Sequence, residues 1–276
     1  DILFVDDCER IKMSSLIGPL NSSQKFVLCG DSYQCESDFL SAFSFLNAEK
    51  NDFNFLRTKY KKSEKIHNLE NSMIYKYSTF VENRTFSELK INLNKLNDFH
   101  SIHKKWLIQV LSKPTFFINI NDANLSVESS IVAALIVSLM TCDVKSKSIG
   151  ILCFDEKLTV LIREAFKSFL NSFSWFFKNK IDLSVEIDIH HHSTFLTKMK
   201  NYKVLIVCFG ESNTILAVNE AKSIIFRANE RLYLIGNEKK LKINPFIAKL
   251  IKKMDKNDTI STEIFNAFNE MTDLFV

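Results

Sequence analysis

The stretch that decides the fold is Ile2-Leu3-Phe4-Val5-Asp6-Asp7, together with Lys25-Phe26-Val27-Leu28-Cys29-Gly30-Asp31 further along the chain. Each apolar run is short and lacks alternation, so both runs predict parallel strands covered on both faces. A short helix is expected to join them. Because open α/β sheets bind ligands at the carboxyl ends of their strands, the acidic residues that follow each run predict a polar crevice there.

The pair Asp6-Asp7 has two interpretations. Two carboxylates at a strand end suit a Mg²⁺-nucleotide site, because Mg²⁺ is held by one or two carboxylates, with phosphate and water completing its shell. Asp is also a favoured N-cap, so the pair could simply cap the helix that follows. The residue types alone leave both interpretations open.

Length and composition bound the rest of the chain. Its 276 residues are 46% hydrophobic, which allows one large or two unequal α/β domains. It has only 5 glycines and 3 prolines, which disfavours an all-β fold with many tight turns. The net charge is +4, so any nucleic-acid surface must be local.

The cysteines, the hydropathy and the lack of a phosphate-binding loop limit further which class of protein this chain can be. The 6 cysteines contain no C-x-x-C pair, which predicts a reducing compartment without a cysteine-based zinc site. The longest apolar stretch, Ile131 to Met140, is too short to span a bilayer, so no membrane partner is expected. No glycine starts a G-x-x-x-x-G-K-[ST] phosphate loop. The chain also opens inside a strand, so we expect a piece of a longer protein with that loop upstream.

Two motifs in register resemble those of superfamily 1 helicases. Phe4-Val5-Asp6-Asp7 resembles motif II, and Leu28-Cys29-Gly30-Asp31-Ser32-Tyr33-Gln34 resembles motif III. The resemblance implies a RecA-like fold of the P-loop NTPase type. In that fold a mainly parallel sheet is flanked by helices in three αβα layers.

The same resemblance implies roles at a bound nucleotide. Asp6 would hold Mg²⁺, and Asp7 would act as the base toward the attacking water, although the family usually has Glu at that position. Gln34 would sense the γ-phosphate of ATP. Gly30 and Asp31 would lie at the nucleotide.

A third element resembles L-x-x-Q-Y-R, which opens the second motor domain: Leu56-Arg57-Thr58-Lys59-Tyr60-Lys61. In the family its arginine reaches the nucleotide phosphates. Here Lys61 keeps the charge but loses the bidentate fork that suits phosphate. The charge pattern alone fits equally well a solvated basic face formed by Lys59, Lys61, Lys62 and Lys65.

The last motif resembles T-R-A-R ahead of a strand: Phe226-Arg227-Ala228-Asn229. Arg227 matches the arginine that contacts the nucleotide and stabilises the transferring phosphoryl group, whereas Asn229 replaces the second arginine. A surface arginine paired with Glu220 or Glu230 is the alternative.

Strand and helix alternate through the rest of the chain, which predicts a mainly parallel sheet. Strands are expected at 115–120, 149–154 and 204–209, and helices at 128–142 and 158–169.

The segment from His191 to Thr197 occupies the place of the family's T-x-D-x-x-Q-G loop, which contacts the nucleic-acid backbone and the nucleotide. Only Phe195 matches that pattern. On a strand, His190 and His192 would share one face and could begin a metal site, but a third ligand is not in view. Polar surface histidines are the alternative.

Together these motifs resemble one branch of superfamily 1, the eukaryotic nuclease-helicase that trims Okazaki-fragment flaps and the related RNA-surveillance helicases. The resemblance covers nearly the whole chain at low identity. It implies that residues 1–50 end a first RecA-like domain and that 51–276 form the second.

The implied function is ATP-driven 5'-3' translocation on single-stranded DNA in replication or repair, in the nucleus, with ATP and Mg²⁺ as cofactors. The implied partner is an upstream P-loop domain of the same protein. RNA would replace DNA, and the cytoplasm the nucleus, if the chain were of the RNA-surveillance type. The competing hypothesis is a degenerate helicase-like domain that serves as a structural or nucleic-acid-binding module.

Overall fold

The structure is a computed structural model that describes residues 1–31, 58–59, 62–75, 81–82, 89–99, 101–120, 125–172, 186–197, 200–211, 222, 224–225 and 227–256. Two predicted site residues, Gln34 and Lys61, lie outside these ranges.

The amino-terminal unit is a parallel strand pair joined by a helix, as predicted. β1 (Ile2–Val5) pairs with β2 (Lys25–Leu28). Between them lie a 3-10 turn at Cys8–Arg10 and α1 (Met13–Ser22). The buried centre of this unit is a small apolar cluster of Val5, Cys8 and Leu16.

The prediction that these strands are covered on both faces is wrong for the described part of the chain. Phe4 is 72% exposed and Phe26 is 50% exposed. β1 and β2 form a two-stranded sheet among the described residues, and two strands alone offer too few neighbours to bury a face. The apolar pattern correctly predicted strands, but their burial depends on layers that the pattern does not contain.

A second parallel pair, β3 (Thr58–Lys59) and β4 (Val81–Glu82), follows. The main sheet is built from six further strands: β5 (Thr115–Asn119), β6 (Ile149–Cys153), β7 (Asp188–His191), β8 (Tyr202–Cys208), β9 (Ala228–Gly236) and β10 (Asp255–Lys256). Their order across the sheet is β10-β5-β9-β8-β6-β7, and every neighbouring pair is parallel.

Helices cover both faces of the six-stranded sheet, so the fold is the predicted three-layer α/β, RecA-like class. In chain order the helices are α2 (Glu64–Met73), α3 (Ser101–Leu111), α4 (Leu125–Thr141), α5 (Glu156–Ser172), α6 (His192–Thr197), α7 (Glu238–Leu241) and α8 (Pro245–Lys253). α3, α4 and α5 share one apolar cluster with the sheet. α2, α6 and α8 share the cluster on the opposite face.

Alternate residues of the central strands serve the two clusters, because successive side chains of a strand point to opposite faces. In β8, Val204 and Ile206 pack toward α4 and α5, whereas Leu205 and Val207 pack toward α2 and α8. Burial on both faces explains why the strand reads as an unbroken apolar run. Each such side chain stabilises the fold by roughly 1.5–3 kcal/mol relative to an exposed one.

The strands and helices predicted between residues 115 and 209 are confirmed as β5, α4, β6, α5 and β8. α4 is buried from Val127 to Thr141, as its apolar sequence indicated. Among the described residues, no helix combines the length and apolarity needed to cross a membrane.

Candidate nucleotide and nucleic-acid site

The two predicted carboxylates lie directly after β1, and both side chains are exposed. Asp7 precedes the 3-10 turn in the left-handed region, at φ 49° and ψ 37°, and its side chain makes no capping hydrogen bond. Asp visits this region more readily than most residues. The Asp6 Oδ1 atom accepts a hydrogen bond from Asp7 N at 3.0 Å. Asp7 therefore occupies a cap position without capping, and its carboxylate stays open to a ligand.

The ends of β1 and β2 meet at one edge of the small sheet. The Cys29 N–H donates to Val5 O at 2.7 Å, and the Cys8 N–H donates to Cys29 O at 3.0 Å. A larger residue at position 30 would displace side chains at this junction, because a Cβ there would lie 2.5 Å from Glu9 Oε2 and 2.9 Å from Cys8 Sγ. The glycine of the Gly-Asp motif thus allows close packing of the two motif segments.

Glu9 is a buried carboxylate that sequence reasoning missed. It is 2% exposed, and its Oε2 atom accepts a hydrogen bond from Asp31 N at 3.2 Å. The Asp31 carboxylate in turn accepts a hydrogen bond from the Tyr75 hydroxyl, two residues beyond α2. Asp31 therefore joins the amino-terminal unit to α2. In the sequence, Glu9 is distinguished only by its position two residues after Asp7.

The start of α2 lies against the start of β9. The Ser63 N–H donates to Asn229 O at 2.7 Å, and the Ser63 hydroxyl donates to Glu230 O at 3.1 Å. Ser63 is also the N-cap of α2 and is buried. Although Lys61 is outside the described residues, these bonds place the chain that follows it beside the chain that follows Arg227.

Arg227 directly precedes β9, at the amino edge of the six-stranded sheet, and is 8% exposed. The register of β8 and β9 pairs Tyr202 with Ala228, the residue after Arg227. Burial and the Asp188 carboxylate raise the pKa of Tyr202, and the charge of Arg227 opposes that rise. Glu230 is paired with Lys203, whose Nζ lies 3.1 Å from Glu230 Oε1. Arg227 is therefore buried and not on the surface, whereas its pairing with Glu220 or Glu230 is not tested.

The segment in the place of the T-x-D-x-x-Q-G loop is a short helix. β7 ends at His191 and His192 begins α6, so His190 and His192 do not share one face of a strand. His191 Nε2 lies 3.1 Å from His192 Nδ1, and the His192 ring stacks on Phe154 at a centroid distance of 5.3 Å. Phe195 is buried in the core.

A metal site at the three histidines was left open by the sequence. Across the described ranges, no group of three or more His, Cys, Asp or Glu side chains is arranged to hold a metal ion. His190 Nε2 lies 3.8 Å from Asp188 Oδ1, which is the distance of an ion pair when the imidazole is protonated.

A second unpredicted carboxyl group lies at the carboxyl edge of the six-stranded sheet. Glu128 of α4 is fully buried, and its Oε1 atom accepts a hydrogen bond from Gly210 N at 3.2 Å. Burial raises the pKa of Glu128 to about 8, and the Asp155 carboxylate adds to this rise, against the effect of the Gly210 bond. Gly210 has φ +61°, and a Cβ there would lie 2.8 Å from Asp155 Cβ. A lone charge in the apolar run of α4 was its only sequence signal.

The described residues thus form two groups around α2. Asp6, Asp7, Gly30 and Asp31 lie at the edge of the small sheet, and the bond from Tyr75 to Asp31 links that edge to the end of α2. Arg227 lies near the other end of α2, whose 10 residues span about 15 Å at the helical rise. The convergence of Asp6, Asp7, Gln34, Lys61 and Arg227 on one cleft stays a prediction.

The RecA-like parallel sheet, the carboxylates after β1 and the buried arginine ahead of β9 agree with the resemblance to superfamily 1 helicases. The chain is similar to DNA replication helicase/nucleases, as a divergent relative, on the following comparisons.

Two DNA replication helicase/nucleases are similar in sequence to this chain. The chain is 24% identical, over 302 aligned residues, to the DNA replication ATP-dependent helicase/nuclease dna2 of Schizosaccharomyces pombe, covering 95% of this chain and 20% of that protein. It is 30% identical over 140 residues to the DNA replication ATP-dependent helicase/nuclease DNA2 of Gallus gallus, covering 45% of this chain and 14% of that protein. The chain therefore spans a fifth or less of each relative. No family model matches it.

Proposed function

We propose that this chain is the carboxyl-terminal motor part of an ATP-dependent superfamily 1 DNA helicase of the replication and repair nuclease-helicase type. The observation that supports this best is similarity to a helicase/nuclease along 95% of the chain. In this proposal residues 1–50 end the first RecA-like domain and 51–276 form the second. The motor moves 5'-3' along single-stranded DNA, acts in the nucleus and works with an upstream P-loop domain.

Asp6 and Asp7 are the proposed groups on the first-domain side. Exposed carboxylates at a strand end fit Mg²⁺, which prefers oxygen ligands, and Asp6 is the residue that would hold it. The ion would supply positive charge to the phosphates of ATP. Asp7 accepts a proton from the attacking water, and Gln34 contacts the γ-phosphate. Gly30 and Asp31 keep this edge in place through the packing of Glu9.

Arg227 and Lys61 are the proposed cationic groups on the second-domain side. A cation aimed at the γ-phosphate stabilises charge that develops only in the transition state, so domain closure becomes coupled to hydrolysis. Because Arg227 is 8% exposed, its charge is weakly screened and acts more strongly than a surface charge.

The second candidate is a degenerate module that holds nucleic acid or other domains without turning over ATP. The specific observation in its favour is α6, where only Phe195 matches the family loop and that residue is buried. Polar contacts to a nucleic-acid backbone are therefore not supplied there in the family's way.

Steady-state ATP hydrolysis by the complete protein, with and without single-stranded DNA, separates the two candidates. Under the motor proposal DNA stimulates hydrolysis, and Arg227→Ala lowers kcat by on the order of a hundredfold to a thousandfold. The matched control is Arg163→Ala, which removes an exposed arginine of α5 that donates to Ile189 O of β7.

Because Arg227 is buried, melting temperatures of both variants must be compared, and Arg227→Lys serves as a variant that keeps the charge. Absence of hydrolysis in the unaltered protein, with DNA binding retained, would favour the module. Stimulated hydrolysis that is indifferent to Arg227→Ala in a folded variant would remove the role given to this residue.

A further inference from the structure

Lysines are concentrated at the end of the described chain, around α7, α8 and β10. The residues from Glu238 to Lys256 contain seven lysines and two carboxylates, a net charge of +5, which exceeds the +4 of the whole chain. All seven are exposed: Lys239, Lys240, Lys242, Lys249, Lys252, Lys253 and Lys256. The rest of the protein is therefore close to neutral, and its positive charge is local.

Four of these lysines line one open groove, which we call the basic groove, with a volume of about 550 Å³. Its lining consists of Glu238, Lys242, Ala248, Lys249, Ile251, Lys252, Met254 and Lys256. Four ammonium groups around one carboxylate leave the lining with a net charge of +3. The apolar members are side chains of α8 and the residue after it.

The single carboxylate of the basic groove positions two of its lysines. Glu238 Oε1 lies 3.0 Å from Lys242 Nζ and 3.0 Å from Lys256 Nζ. Hydrogen bonds from Lys256 and then Lys242 lower the pKa of Glu238, so it remains an anion at neutral pH. Glu238 therefore joins two lysines without neutralising both.

The remaining lysines have no acidic partner in the described part of the chain. Lys249, Lys252 and Lys253 are three and four residues apart on α8, and so lie on one face of the helix. A structural role explains some of them, because Lys252 and Lys253 lie in the last turn, where cations complement the helix dipole. It does not explain Lys249, and the ion pairs of Lys242 and Lys256 share a single carboxylate.

The basic groove lies away from α6, the segment in the place of the family loop that contacts the nucleic-acid backbone. β10 is one edge strand of the sheet, and β7, which leads into α6, is the other. Five strand spacings of about 4.8 Å place these edges roughly 24 Å apart. α6 and α8 pack on the same face of the sheet, so one nucleic-acid chain running across that face could reach both.

We propose that the basic groove is a second nucleic-acid contact, which binds the phosphate backbone of a strand beyond the track of the motor. This inference rests on the proposed function for the presence of nucleic acid. Lysine ammonium groups donate to phosphate and are poor readers of base edges, so binding is independent of sequence. A row of cations in an open groove suits a repeating polyanion better than one small anion.

The test is the salt dependence of binding, measured by fluorescence anisotropy with a labelled oligothymidine of about 30 nucleotides between roughly 50 and 200 mM salt. The complete protein is compared with the triple variant Lys249→Gln, Lys252→Gln, Lys256→Gln. Each lost phosphate contact removes about 0.7 from the slope of log K against log salt for a single strand, so the slope should shrink by about 2. The matched control replaces three exposed lysines outside the basic groove, two at the turn before β6 and one on α5: Lys145→Gln, Lys147→Gln, Lys167→Gln.

The outcomes separate this inference from the proposed function. Arg227→Ala should lower kcat by on the order of a hundredfold to a thousandfold and leave the slope unchanged, whereas the groove variant should change the slope and keep kcat at saturating DNA. An unchanged slope in the folded groove variant, or an equal loss in the control variant, overturns the inference. It is also overturned if the groove variant loses binding to polyglutamate but not to DNA, since the partner would then be an acidic polypeptide.

Discussion

Ser63 donates its backbone N–H to the carbonyl oxygen of Asn229 at 2.7 Å, which joins the first residue of the α2 cap to the second residue of β9. The chain before Ser63 carries Lys61, and the chain before Asn229 carries Arg227. Two segments distant in sequence are thus fixed to one another by this backbone hydrogen bond.

This junction predicts the effect of Ser63→Ala on stability. The substitution removes the N-cap of α2 and the hydrogen bond from the Ser63 hydroxyl to Glu230 O. We expect a loss of about 1–2 kcal/mol in the free energy of unfolding, measured by chemical denaturation. Ser22→Ala is the control, because its hydroxyl donates to Gly18 O at an exposed helix end. Equal, small losses for both variants would show that the junction contributes little.

Glu128 predicts a pH-dependent stability. Its pKa is raised from 4.5 to about 8 in the folded protein, so the folded state keeps this proton to a higher pH than the unfolded chain. Stability is therefore greatest below pH 4.5 with respect to this group, and is lost as pH rises toward 8 and beyond. The loss is on the order of 3–5 kcal/mol.

The substitution Glu128→Gln keeps the shape of the protonated side chain and removes the titration. Relative to the unaltered protein, the variant should be similar in stability at pH 5 and more stable at pH 9, by chemical denaturation at both values. Glu164→Gln, at an exposed position on α5, controls for the loss of a charge. A stability difference that is the same at both pH values would contradict the assignment.

The main sheet was predictable because its physics is local. Runs such as 149–154 and 204–209 are apolar on both faces, and only strands buried between two helical layers satisfy that pattern. The small sheet shows the limit of the same argument, since Phe4 and Phe26 are exposed. A run of apolar residues predicts a strand, whereas the layer that covers it comes from elsewhere in the chain.

The predicted site residues came from motif spacing, and the residues around them did not. Glu9 and Glu128 are buried carboxylates whose partners, Asp31 and Gly210, are distant in sequence. A pattern of residue types contains no information about such pairing. α6 was not predicted: β7 ends at His191 and a short helix begins at the next residue, where the polar sequence shows no helical pattern of apolar residues.

Nucleotide binding by residues 1–276 alone is predicted to be weak. The chain contains no G-x-x-x-x-G-K-[ST] loop, whose backbone N–H groups and lysine cradle the phosphates. Isothermal calorimetry with Mg-ATP should therefore detect no binding at sub-millimolar concentrations. A sub-millimolar affinity would show that the phosphates are held by other groups in this chain.

The last prediction is that ATP hydrolysis by the complete protein is slow, and that Asp7 and Lys61 are the reasons. Asp is one methylene shorter than the Glu usual in the family, so its carboxylate falls about an ångström short of the attacking water. Misplacement of that size can cost roughly a hundredfold in rate. Lys61 adds to the loss, because a point charge replaces a bidentate fork at the γ-phosphate.

Hydrolysis with single-stranded DNA should rise in Asp7→Glu and in Lys61→Arg. The two changes act on one reaction centre, so their effects need not add in the double variant. Asp7→Asn is the control for position 7: it tolerates the left-handed φ of 49° but lacks the charge, and should reduce the rate. Glu is less favoured at that φ, which can cost about 1 kcal/mol, so the folded fraction of each variant must be measured.

The hydrolysis rates of these variants distinguish the motor hypothesis from the degenerate-module hypothesis. If Glu and Arg restore the rate in folded variants, these positions are eroded catalytic residues of a motor, because only a group near the reacting atoms responds to one methylene. If neither variant changes a measurable rate while Asp7→Asn is also silent, Asp7 has no part in the chemistry. Its left-handed conformation would then be its main contribution, as the residue that turns β1 into the 3-10 segment.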